Sequence, residues 1–146
     1  PFKRVIFCTP LVRSRFYRLS RTALGLVGWF LPAVGIVDRH SSSNPEYIRF
    51  MNEMDPLMIK RVPLSWVRSL VEWNTLIEEA AFNSCELSII QGTKDYVVDW
   101  KYNLEFFKKR FEGADIHIVQ NAFHKILNEP EALFSQAAEI IINKLR

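Results

Sequence analysis

Cysteine is scarce in this chain of 146 residues: Cys8 and Cys85 are the only two. Two thiols make no disulfide framework, and both read as small buried hydrophobes. There are only five glycines, and they build no phosphate-binding loop. No pair of histidines or cysteines stands at metal-ligand spacing, so no metal site is expected, and no cofactor is implied. The longest apolar run, residues 23–37, is 15 residues long and contains Pro32 and three glycines. A membrane-spanning helix needs about 20 apolar residues, which excludes one here. Internal repeats and low-complexity tracts are lacking too. The chain begins at Pro1 with neither an initiator methionine nor a secretory pattern. A fragment or processed product is the expectation, with a cytoplasmic location.

What is present suits one domain with a sizeable core. Apolar residues make up 49 %, too many for a disordered tail. The net charge is +3, too small by itself to imply nucleic acid, and no nucleic-acid-binding motif accompanies the basic pI. The charge is uneven, however. Residues 1–39 carry seven basic groups, Arg13, Arg15, Arg18 and Arg21 among them, against Asp38 alone. Such a segment is either a solvated helix face or a surface that meets anions, a membrane included.

Residues 4–8, "RVIFC", form a short apolar run ended by Thr9-Pro10 and read as a buried strand. Residues 13–30 read as a helix, and 38–44, "DRHSSSN", as a loop. Asn44-Pro45 has the form of an N-cap followed by proline at the first helical position. Tyr47, Phe50, Met51 and Met54 follow at helical spacing, predicting a buried stripe. A second helix is expected from Pro63, with Val67, Leu70, Val71, Asn74 and Ile77 inward. The last third alternates: a strand at 87–91, a helix at 100–112 stopped by Gly113, a strand at 116–120, and a helix at 128–145 with Phe134, Ala137, Ala138, Ile141 and Leu145 inward. That alternation implies parallel strands joined by right-handed crossovers.

Parallel strands open their following loops on one edge of the sheet. Asp95 lies four residues after one strand and His124 four residues after the next. If the two strands are neighbours, their axes are about 4.8 Å apart. A carboxylate and an imidazole then emerge together on the edge where open α/β sheets bind ligands. The carboxylate can fix the ring tautomer and stabilise the imidazolium, and Gly92 allows the turn that places it there. Asp99 reads as a cap for the helix that follows. A serine upstream would complete a nucleophilic triad in the chain order of α/β-hydrolases.

"LSIIQGTKDYVVDW" followed by "IVQNAFHKILNE" resembles the last third of an α/β-hydrolase, of the monoacylglycerol lipase or lysophospholipase-like branch of serine hydrolases. The matching residues are Gly92, Asp95, His124, Asn128 and Glu129. "VIFCTP" resembles the strand after the nucleophile helix. The resemblance implies an α/β fold made of the C-terminal part of the family domain: three parallel strands with flanking helices and an inserted helical cap. It divides the chain into a core strand at 1–10, a cap at 11–80, and a C-terminal core at 81–146 carrying Asp95 as acid and His124 as base. Phe123 is bulkier than the small residue the family pattern has there. No Gly-x-Ser-x-Gly occurs in the sequence, so no serine is nominated as nucleophile.

The implied activity is hydrolysis of a carboxylic ester, of a lipid or another acyl compound, through an acyl-enzyme. The chain alone, lacking the nucleophile, is expected to be inactive and to need the N-terminal half of the fold as partner, or else to self-associate. The alternative is a non-catalytic hydrolase-like module that binds a partner or an anionic membrane. Trp29, Phe30, Trp66 and Trp73 suit either a greasy acyl chain or an ordinary cap core.

Overall fold

The computed structural model describes residues 4–27, 30–36, 38, 40–79, 81 and 85–146. Three strands, Arg4–Cys8 (β1), Glu86–Gly92 (β4) and Asp115–Val119 (β5), form a parallel sheet in the order β1-β4-β5. The pairing runs from Arg4 beside Glu86 to Cys8 beside Ile90, and from Ser88 beside Asp115 to Gly92 beside Val119. β4 and β5 are thus neighbours, which places the loops after them side by side. β4 is central and buried from Leu87 to Gly92, as a near-continuous apolar run in a parallel sheet should be.

Alternation along the strands splits the core in two. Val5, Phe7, Leu87 and Ile89 face Leu104 and Phe107 of helix Trp100–Arg110 (α4). Ile6, Cys8, Ile90 and Val119 face Leu133, Ala137, Ile140 and Ile141 of helix Glu131–Leu145 (α5). Helices thus cover both sheet faces. Ile89 and Ile90, both fully buried, each stabilise the fold by about 1.5–3 kcal/mol. Asp99 caps α4 by accepting from the Tyr102 N–H. α4 ends at Arg110 rather than 112, since Phe111 is already extended, and Gly113, at φ +67°, lies in the turn that follows, in a conformation only glycine adopts without cost.

Between β1 and β4 lie helix Tyr17–Val27 (α1), strand Ala33–Gly35 (β2), helix Pro45–Arg49 (α2), a π-helical turn Phe50–Met54, strand Arg61–Pro63 (β3) and helix Leu64–Glu78 (α3). β2 and β3 pair antiparallel. Asn44 caps α2 as expected, accepting from the Glu46 and Tyr47 N–H groups. Asn74 of α3 is buried, and Ile77 packs on the α4 side of the sheet.

Several expectations are corrected. α1 starts at Tyr17 rather than 13, because the Arg13 N–H is taken by Asn103 Oδ1 and Ser14 bridges to Val98. α5 starts at Glu131 rather than 128, after a 3₁₀ turn at Ile126–Asn128. Its inward face is set by the apolar patch beneath it, so Phe134 and Leu145 stay partly or largely exposed. The stripe expected at 47–54 is not buried: Phe50 and Met54 are exposed. Phe30, Trp66 and Trp73 are exposed as well and form no cap core, while Trp29 lies outside the described residues. Cys8 and Cys85 are half-buried rather than buried. The two-stranded β2–β3 sheet was not expected at all.

Candidate active site

The loops after β4 and β5 are zipped together before any side chain acts. The Thr93 N–H donates to Val119 O at 3.2 Å, Lys94 N–H to Ala122 O at 2.9 Å, and Asn121 N–H to Thr93 Oγ1 at 2.8 Å. Gly92 makes this approach feasible. A Cβ there would lie against the Ala122 carbonyl and 2.8 Å from Phe123 O, closer than real Cβ atoms come. Asn121 accepts the turn at φ +64°, which asparagine tolerates better than most residues.

Asp95 stands in the first loop, its side chain fully enclosed. Its Oδ1 accepts the Val97 and Val98 N–H groups at 2.9 and 3.1 Å. The other oxygen, Oδ2, lies 2.9 Å from His124 Nδ1 and accepts from Gln91 Nε2 at 3.1 Å. Burial works to raise the pKa of this carboxyl. The hydrogen bond and charge of His124 and the Val98 and Val97 amides oppose it, and the net result lies below the ordinary carboxylate value. The segment carrying Asp95 is itself held from behind: Arg15 N–H donates to Val97 O, and Asp99 N–H to Arg13 O.

His124 is held through its backbone. Its carbonyl accepts Thr9 Oγ1–H at 2.7 Å and the Ile126 N–H at 3.0 Å. Just before it, the Phe123 N–H donates to buried Glu129 at 3.1 Å. Glu129 also accepts from the backbone and hydroxyl of Ser43, Ser42 donates to Asn128 O, and Lys125 N–H donates to Ser41 O. The serine run at 41–43 is thereby stitched to the histidine loop. With Nδ1 on the carboxylate, Nε2 has no hydrogen-bond partner among the described residues, and the imidazole is only partly covered. Such a ring can take a proton at Nε2 while the carboxylate stabilises the imidazolium. A cavity of about 470 Å³ opens beside it, lined by Ile36, Met58 and Val97 with His40, Ser41 and Lys125.

The two residues singled out in the sequence, Asp95 and His124, are brought together as expected. Asp99 sits apart as a helix cap. His117 pairs instead with Asp115 at 2.9 Å on β5. Nothing in the sequence points to the supporting set, Gln91, Thr9 and Ser43, although Glu129 is among the residues of the family pattern. No group of histidine, cysteine or acidic residues among the described residues could hold a metal ion.

A family model for the serine aminopeptidase S33 group of hydrolases matches residues 1–131. The chain belongs to that family, and its fold is the α/β-hydrolase fold. Among solved structures it is similar to a soluble variant of monoglyceride lipase from Saccharomyces cerevisiae, at TM-score 0.78 and 15% identity, covering 98% of this chain and 55% of that one. It is similar also to the monoacylglycerol lipase of Paleococcus ferrophilus, at TM-score 0.73 and 18% identity over 97% and 58% of the two chains. The mouse α/β hydrolase domain-containing protein 10 follows at TM-score 0.57 and 14% identity over 98% and 53%. The chain thus spans a little over half the length of the structures it matches. No curated protein sequence matches it.

Proposed function

We propose that this chain is the acid–base half of a serine hydrolase that cleaves carboxylic esters of lipid type. The observation that carries the reading is the Asp95–His124 pair, 2.9 Å apart at the loop edge of a parallel sheet, beside a largely apolar cavity. Asp95 orients the ring and stabilises its charged form. His124 removes the proton of a serine and later returns one to the leaving alcohol. That serine, and the donors for the oxyanion, come from the half of the fold that the similar structures have beyond the span matched here. Residues 11–80 act as a cap over the site. A monoacylglycerol, the substrate type named for two of the similar structures, is the first compound to try.

A second reading has one observation in its favour. α1 exposes Arg18 and Arg21 beside Leu19 and Leu26, a pattern suited to an anionic membrane surface. In this reading the chain binds without catalysis. Fatty-acid release from a monoacylglycerol by the full protein, compared with its His124→Ala variant, separates the two. Release that depends on His124 supports the hydrolase, and no release with intact vesicle binding supports the module.

A further inference from the structure

Gln91 is a polar side chain near the end of β4, after the apolar pair Ile89 and Ile90, with no exposure to solvent. Its amide orientation is forced by its neighbours. Nε2 faces Gly92 O at 3.1 Å and Asp95 Oδ2 at 3.1 Å. An ionised carboxylate and a carbonyl can only accept, so the NH₂ end must point at them. The other end then goes unserved: Oε1 is buried and meets no donor among the described residues. A buried acceptor left without a partner is destabilising, a cost set against the two hydrogen bonds that Nε2 makes to Gly92 O and Asp95 Oδ2.

We propose that Gln91 is a positioning residue that acts on His124 through Asp95 by setting how strongly the carboxylate holds the ring. Oδ1 of Asp95 is occupied by two backbone amides. Oδ2 is shared by the His124 ring and the Gln91 amide. Two donors on one oxygen divide its electron density, so each bond is weaker than it would be alone. Gln91 also blocks rotation of the carboxylate about its Oδ1 anchor, keeping Oδ2 towards the ring. The result is an acid that is fixed in place without clamping the imidazole in its charged form, as a base that must both take and release a proton requires.

The inference rests on the reading of Asp95 and His124 as orienter and base, but its test needs no turnover. Proton NMR of the full protein at low temperature resolves the Nδ1–H of a histidine bonded to a carboxylate. In Gln91→Met that resonance is expected to move downfield, since the competing donor is gone. Ser88→Ala, a buried change on the same strand with its side chain on the other face, is expected to leave it in place. An unchanged or upfield-shifted resonance in Gln91→Met overturns the proposal. If that variant does not fold, the unsubstituted protein still decides. One Gln91 side-chain amide proton is expected well downfield of its geminal partner and slow to exchange. A pair of ordinary, rapidly exchanging amide protons overturns the proposal. If the full protein proves inactive while these signals behave as expected, the catalytic reading fails and the Gln91 assignment stands.

Discussion

Thr9, the first residue after β1, donates its hydroxyl to the carbonyl of His124 across 115 positions of sequence. It does so from a left-handed backbone, φ +48°, which is costly for a β-branched residue. The Thr9 N–H meanwhile continues the ladder to Ile90 O at 2.8 Å. One residue thus ties the end of β1 both to the central strand and to the histidine loop. Thr9→Val is expected to lower stability by about 1–2 kcal/mol by leaving that carbonyl short of a donor. Thr9→Ser is expected to match the parent. Urea unfolding of the two variants measures the difference.

Gly92→Ala is expected to be worse than an ordinary core change. The added methyl meets backbone atoms of Ala122 and Phe123, which cannot swing aside as a flexible side chain can. Overpacking costs typically about 1–3 kcal/mol, and here the displaced atoms directly precede His124. Thermal unfolding, with ester hydrolysis by the full protein alongside, reads both effects.

Asp95→Asn is expected to reduce kcat of the full protein by about 10⁴, the cost of the wrong ring tautomer in a serine protease. Asp99→Asn is expected to be nearly silent, since asparagine caps a helix as well as aspartate does. Equal sensitivity of the two positions contradicts the assignment of the acid.

The acid side of the stability profile follows from the same carboxylates. Asp95, Glu78 and Asp115 all titrate below their ordinary values: Asp95 through His124 and two amides against its own burial, Glu78 through Tyr102, and Asp115 through Lys144. A depressed folded-state pKa means that the unfolded chain binds the proton more readily. Their stabilisation is therefore full above the unfolded values near 4 and is lost as pH falls through the lower folded ones. Stability is expected to decline from about pH 5 downward, less steeply in Asp95→Asn. Denaturant midpoints from pH 7 to pH 2 test this.

Taken alone, the 146 residues are expected to show no more than a trace of esterase activity and to self-associate. β1 is an edge strand of the sheet, and beside it lies an apolar groove of about 520 Å³ lined by Phe7, Leu11, Trp73, Phe106 and Phe111. An open edge next to an apolar surface invites pairing with another chain. Sedimentation at micromolar concentration checks the state. A cooperative monomer would mean that the groove needs no partner.

The strands and the placement of Asp95 and His124 after two of them are legible from local periodicity, and the adjacency that pairs the two residues follows from the family resemblance. The Asn44-Pro45 cap and the Asp99 cap are legible because capping is read within a few residues. What was not legible depends on distant partners. β2 is Ala33–Gly35, three small apolar residues inside a longer apolar run, and only pairing with Arg61–Pro63 makes it a strand. The start of α1 is set by Asn103 and Val98, 90 and 84 positions from Arg13 and Ser14. Gln91 looked like the polar end of a strand, and Ser43 like part of a solvated loop. Their roles lie in Asp95 and Glu129, which no window of sequence places beside them.

The central claim is that Asp95 and His124 work as one unit, and a double-mutant cycle on the full protein tests it most directly. Groups that act together are strongly non-additive. Ester hydrolysis by Asp95→Asn, by His124→Ala and by the double variant should show the double variant no slower than His124→Ala alone. If the two losses multiply instead, the residues act independently, and the 2.9 Å contact between them is structural rather than catalytic.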